Sequence, residues 1–235
     1  MRIFSYHIVA LPFFYALKVL LFPLKPDKNL GLLYVETMSM MNLGSPIYAW
    51  SRIFNNKIIV FAQWENECCL EDFLSGSKLG KRIDKGWHIR LQFLRKWGKL
   101  SALTVPEASS PDTDGPVVAI TLARMRYNEI PRFIRWGRPV EKLVRDHPAS
   151  PFALASIRYP NTVSTFSIWK TQQDMSAMVY GHSKVAKPAR HIDAMNERER
   201  RDFHFEFTTL RFRPIAEYGH WNGQNSFIPT KETSE

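Results

Sequence analysis

IIVFAQW at 58–64 and TVSTFSIW at 162–169 are two β-rich runs that each end in tryptophan, and reading them together decides the fold. After Trp64 comes a helical stretch, NECCLEDFLSGSKLGKRIDK, and after Trp169 a longer one, TQQDMSAMVYGHSKVAKPARHIDAMNERERR. Each stretch gives way to an aromatic residue followed by histidine: Trp87 and His88 in WHIRLQFL, Phe203 and His204 in FHFEFTTL. The same elements in the same order twice in one chain indicate an internal repeat.

Upstream the correspondence continues. RIFSYHIVAL and VVAITLARMR supply first strands, helical segments follow at about Phe13 to Phe22 and Tyr127 to His147, and GLLYVETMSMM and PFALASIRY supply second strands. In the second of these helices Ile130, Ile134 and Leu143 lie near helical period among five cationic residues. Each half therefore reads β, α, β, β, α, β, a split βαβ unit of the ferredoxin-like kind, so the fold class is α+β with a tandem repeat. The boundaries are 1–103 for the first repeat, 104–115 for a linker, 116–215 for the second repeat and 216–235 for an irregular tail. TVPEASSPDTDGP, rich in Pro, Ser, Asp and Gly, marks the linker.

A ferredoxin-like sheet carries helices on one face only, so two halves can cover each other face to face, with a cavity between the sheets. In the last strands, Trp87, Ile89, Leu91 and Phe93 alternate with His88, Arg90, Gln92 and Leu94, and Phe203, Phe205 and Phe207 alternate with His204, Glu206 and Thr208. The apolar row is expected beneath the helices. The polar row then lines the cavity or faces water.

Composition narrows the function. The 235 residues carry a net charge of +10, which attracts phosphates, carboxylates or an anionic membrane face. The basic residues are spread over three segments without a nucleic-acid motif, which argues against a nucleic-acid partner. Cys68 and Cys69 are the only cysteines; being adjacent, they suit neither a long-range disulfide nor a spaced zinc site, and the pattern fits a reducing cytoplasm. In the apolar run from Ile3 to Phe22, His7, Pro12 and Lys18 interrupt what would otherwise resemble a membrane span, and Pro23 to Lys28 break it. Phosphate-loop, HExxH, GxSxG and dinucleotide signatures are missing from the sequence.

Several side chains could carry chemistry. His204 and Glu206, two apart on a strand, have the spacing at which a carboxylate orients an imidazole for acid or base work, against the alternative of an exposed polar edge. His88 and Arg90 form the corresponding pair, and the guanidinium suits a carboxylate or oxyanion. Met175, Met178, Val179 and His182 follow steps of three, one and three, which would put them on one helix face; His182 could equally be a structural histidine at a helix end, with Gly181 breaking the helix. His191, flanked by Arg190 and Asp193, reads as a surface residue. Trp64 and Trp169 close a core or wall a pocket.

FSIW, YGHSKVAK, His191 and the final strand FHFEFTTLRFRPI resemble the carboxy-terminal half of the spheroidene monooxygenase family, with a more diffuse likeness over the first half. That family is similar to the dimeric α+β barrel proteins, among them antibiotic-biosynthesis-type monooxygenases and haem-binding enzymes. The resemblance implies a pseudo-dimeric barrel in one chain and oxygen insertion from dioxygen into a hydrophobic, carotenoid-like substrate. It also implies haem as cofactor, with His182 as iron ligand, Trp169 and Met178 in the cofactor site, and His204, Glu206, His88 and Arg90 as catalytic candidates. The alternatives are a cofactor-free oxygenase and a non-catalytic carrier of a hydrophobic or tetrapyrrole ligand. Peripheral contact with an anionic membrane is compatible with the charge, and either a monomer or a homodimer with the pattern.

Overall fold

The computed structural model describes residues 1–44, 56–108 and 115–229. Its elements are β1 (Ile3–Ala10), α1 (Phe13–Leu21), β2 (Leu32–Met41), β3 (Lys57–Trp64), α2 (Glu67–Gly76), α3 (Gly80–Ile83), β4 (Trp87–Lys99), β5 (Val117–Met125), α4 (Ile130–Arg145), β6 (Phe152–Arg158), β7 (Thr162–Trp169), α5 (Gln172–Val179), α6 (Arg190–Arg200) and β8 (His204–Tyr218). Each half thus contributes four antiparallel strands, in the order β4-β1-β3-β2 and β8-β5-β7-β6. Pairing of β4 with β8 and of β2 with β6 closes them into one eight-stranded barrel. This is the duplicated α+β pseudo-dimer in a single chain. None of the helices among the described residues is long and apolar enough to cross a membrane.

Local signals set the helix starts. Asn66 accepts a hydrogen bond from the Cys69 amide (3.0 Å) to open α2, and Thr171 accepts one from the Asp174 amide (3.0 Å) to open α5, one turn after the two matching tryptophans. Trp64 lies opposite Ile3 and Trp169 opposite Val117, so the repeat holds at the level of strand register.

The orientation of the apolar row corrects the sequence reading. Trp87, Ile89, Leu91 and Phe93 point into the barrel with Phe4, Tyr6, Phe61, Phe166 and Phe212, whereas His88 and Arg90 lie on the helix side. An eight-stranded barrel is just wide enough for side chains to fill, and most of the buried phenylalanine rings go there, while the helices rest on Trp64 and Trp169 and on smaller residues such as Val9, Val60 and Ala62. The cavity expected between the sheets is occupied: rings from opposite halves touch, Tyr6 on Phe166 at 4.1 Å and Phe4 on Phe212 at 5.0 Å between centroids. At the start of β8, Phe203 and Phe207 lie on the helix side as expected, packed with Ile130 and Phe133 of α4, and do not face inward. Thr208, Leu210 and Phe212 do, opposite Leu122, Ile120 and Val118, and Phe205 is exposed.

The two barrel ends are closed differently. Where β6 ends, buried Glu36 accepts from Tyr34 Oη (2.8 Å) and pairs with Arg158 (2.9 Å), while Arg124 bonds Glu206 (2.7 Å). Where β6 begins, the tail folds over the opening. The Glu217 carboxylate accepts from Trp87 Nε1 (2.6 Å) and from the amides of Phe227 (2.9 Å) and Ile228 (3.0 Å), seating Phe227 on Phe152. The second repeat therefore extends beyond residue 215, since β8 pairs with β4 as far as Tyr218 opposite His88. Truncating Phe212 to alanine removes a fully buried ring that touches Phe4, Phe61 and Phe93. It should cost about 3–5 kcal/mol in urea unfolding, whereas Phe205→Ala on the exposed side should change the midpoint little.

Candidate functional site

On the helix side of the first half's sheet, β1 and β4 place His7 opposite His88 and Ser5 opposite Arg90. The two imidazoles stack at 4.8 Å, and the Tyr218 ring stacks on His88 from the other side at 4.9 Å. Both histidines are buried, and their four ring nitrogens have no hydrogen-bond partner among the described residues. Burial depresses both pKa values, and for His7 the neighbouring His88 and Arg90 push the same way. Both rings are therefore neutral at pH 7. Buried polar groups normally find partners, so four unpartnered nitrogens in one place make this a candidate site.

Arg90 lies beside this pair. Its guanidinium bonds the Glu67 and Glu71 carboxylates of α2 and lies 4.4 Å over the Tyr218 ring. Ser5 accepts a hydrogen bond from Trp64 Nε1 at 2.9 Å. Helix α2 is thereby fastened to the sheet at the histidines.

Two residues further along the same strands, about 7 Å on, a groove of about 740 Å³ opens at Val9, Ala10 and Gly86. Val9, Leu11, Pro12, Tyr15 and Trp221 give it apolar walls, His220 lines it as well, and Lys57, Lys78, Lys81, Arg82 and Lys85 are its cations, with no carboxylate in its lining. Lys57 lies 5.1 Å over Trp221 and Arg82 4.4 Å over Tyr15. Such a lining accepts an apolar body bearing negative groups.

The second half has diverged from this arrangement. Matching the tryptophan registers makes Ala119 the counterpart of Ser5, Thr121 of His7, Thr209 of His88 and Arg211 of Arg90. Arg211 lies 4.3 Å over Trp97, as Arg90 does over Tyr218. Gln172 and Ser176 occupy the places of Glu67 and Glu71, three and seven residues after the tryptophan. The guanidinium-on-ring contact is thus duplicated, whereas the histidine pair and its acidic neighbours belong to the first half alone.

The residues expected from sequence separate into those the fold gathers and those it scatters. His88 and Arg90 come together, with His7 and Tyr218 as partners that sequence reading missed. The alternation of Ser5 and His7 with Phe4, Tyr6 and Ile8 was the available signal. His204 and Glu206 do not share a face, because the β5–β8 register shifts between Arg124 and Met125. His204 turns beneath α4, with Nδ1 2.9 Å from Asp202 and its ring near Phe133 and Phe207, while Glu206 goes to the barrel end with Arg124 and Ser101.

His182 is not on a helix face with Met175 and Met178. Helix α5 stops at Val179, Gly181 takes φ +68°, and the His182 amide bonds the Ala177 carbonyl (2.7 Å), placing the imidazole past the helix end near Tyr180. Met178 and Trp169 pack instead into a closed cluster with Leu94, Val117 and Leu143. His191, read as a surface residue, is largely enclosed, which lowers its pKa, and its ring bonds the Val179 backbone.

No protein-family model matches the chain, and no curated protein matches it. Solved structures do resemble it. An aldoxime dehydratase in complex with butyraldoxime is 6% identical at a TM-score of 0.55, over 91% of this chain and 79% of that one. A candidate monooxygenase from Fusobacterium nucleatum subsp. nucleatum is 6% identical at 0.42, over 96% and 97%. A haem-degrading enzyme from Listeria monocytogenes is 9% identical at 0.29, over 89% and 99%. The first of these likenesses establishes the fold, and at such identities nothing more.

The buried histidines make stability depend on pH. Burial pushes His204 down to about 4 against the pull of Asp202, and His7 and His88 are lowered too. In the unfolded chain these rings titrate near about 6.5, so acid protonates the unfolded state first. Their contribution is full above that value and is lost as pH falls toward 4. The urea midpoint should drop between pH 7 and pH 4.5, and His204→Gln should drop less over the same interval.

Proposed function

We propose that this chain is a monooxygenase that binds a hydrophobic, polyene-like substrate on the helix side of its first half, in and beside the cation-lined groove. The observation that carries the reading is the meeting of that groove with two buried, neutral, unpartnered histidines on the same pair of strands. The filled barrel interior leaves the helix side as the place for a ligand, and the resemblance to the spheroidene monooxygenase family supplies the reaction type and the substrate class.

Haem fits the groove better than it fits the surroundings of His182. A tetrapyrrole with two propionates needs an imidazole, cations and apolar walls, and the groove offers His220, the cations Lys78, Lys81, Arg82 and Lys85, and Val9, Leu11 and Trp221. When bound, haem would supply an iron centre for dioxygen activation. His220 would hold the iron, the cations the propionates, and Val9 and Leu11 would exclude water from the ring. His7 and His88, neutral in the fold, would accept or relay a proton beside the substrate, and Arg90 would keep α2 closed over them.

The histidine pair also favours a second reading, a cofactor-free oxygenase in which a neutral imidazole deprotonates the substrate and the substrate anion reduces dioxygen. Haemin titration followed by Soret absorbance separates the two. On the first reading the band saturates, His220→Ala abolishes it, His182→Ala leaves it, and Lys81→Glu/Arg82→Glu weakens binding. If no band forms and oxygen consumption survives chelation and haem removal but falls in His7→Ala, the second reading stands. A bound ligand that is never turned over would make the protein a carrier.

A further inference from the structure

Helix α1 buries only Ala16 and Val19 fully, with Tyr15 and Leu20 partly packed against the same core. Its opposite side is as apolar as the buried one: Phe14 is 83% exposed, Leu21 65%, Phe13 45% and Leu17 43%, and Phe22 just past the helix is 77% exposed. At 100° per residue Phe13, Leu17, Leu21 and Phe14 fall within one outward stripe, with Lys18 at its edge. A helix that is apolar all round belongs in an apolar environment, and a contiguous exposed patch of this kind marks an interaction surface.

The charges beside the stripe identify what covers it. Arg82 lies over the α1 ring Tyr15, and Lys78, Lys81 and Lys85 line the same groove as Tyr15 and Pro12. These four cations and Lys18 are exposed, and none has a carboxylate partner among the described residues. Asp84 is the only acid in the segment from Lys78 to Lys85. A second copy of the chain would bring the same cations against these, on top of +10 against +10. A nine-residue helix is also short for the roughly 800 Å² per partner of a standard interface. An anionic bilayer answers both features, with acyl chains for the phenylalanines and leucines and headgroups for the lysines.

We propose that the protein docks peripherally on anionic membranes through α1. Phe13, Phe14, Leu17 and Leu21 enter the interface, and Lys18, Lys78, Lys81, Arg82 and Lys85 contact phospholipid headgroups. On the reading of the groove given above, a substrate dissolved in the bilayer enters without crossing water; the docking itself does not depend on that reading.

Co-sedimentation of the full chain with vesicles of phosphatidylcholine and phosphatidylglycerol at 3:1, and of pure phosphatidylcholine, tests this apart from any activity. Binding to the anionic vesicles, weakened by salt and about a hundredfold weaker in Phe14→Asp/Leu21→Asp, is the expected result. Lys78→Glu/Lys81→Glu should lose at least about fivefold per charge while keeping the apolar stripe intact. Circular dichroism and the urea midpoint report whether each variant is folded. Failure to bind anionic vesicles at low salt, or equal binding by the folded variants, overturns the proposal. So does a concentration-dependent dimer that Phe14→Asp/Leu21→Asp dissociates, since the occupant would then be a second copy.

Discussion

Contact between aromatic rings of opposite sheets inside the barrel is the constraint from which the rest follows. Tyr6 on Phe166 and Phe4 on Phe212 join the halves through their most apolar faces, and Trp87, Phe61 and Phe152 fill the space around them. These rings occupy the space that a ligand between the sheets would take. On the helix side of the same strands lie His7 and His88. The same constraint makes the barrel ends critical, because Glu36 with its arginines and Glu217 with the tail amides shield an apolar interior that no helix covers.

The two halves share geometry and differ in chemistry. Both keep an arginine over an aromatic ring and a tryptophan at the end of the third strand, which are contacts of assembly. The first half stacks two histidines on the helix side beside carboxylates of the helix above them, and the groove with Lys81 and Arg82 opens at its strand ends. Where one copy of a repeat holds polar groups that the other has replaced by alanine and threonine, packing alone does not account for them. The site proposed above thus lies in the first half, whereas the resemblance carried by the sequence lies mainly in the second.

The repeat, the element order and the pairing of two ferredoxin-like sheets were legible, because strand–helix alternation and the tryptophan-ended strands are local signals. Which face of β4 turns inward was not. A row such as Trp87, Ile89, Leu91 and Phe93 satisfies a helix layer or a barrel interior equally, and closure of the barrel, a property of all eight strands, decides between them. The likeness of Trp87-His88 to Phe203-His204 suggested an alignment five residues from the structural one, in which His88 corresponds to Thr209. The bulge near Arg124 also separated His204 from Glu206, and period-two reasoning cannot foresee a bulge. For His182 the helix-end alternative holds, since the αL turn at Gly181 removes it from the face that Met175 and Met178 share. The groove lysines were visible as charge, but nothing local tied Lys57 to Lys81.

The crossed guanidinium contacts have a consequence for the seam between the two lobes. Arg90 of the first half rests on Tyr218 of the second, and Arg211 of the second rests on Trp97 of the first, at either end of the long β4–β8 ladder. Each lobe thus grips a ring that the other supplies, and the chain just after Lys99 adds Leu100 and Leu103 to the shared core. The seam between the lobes is therefore complementary without being symmetric: a tyrosine answers one arginine and a tryptophan the other.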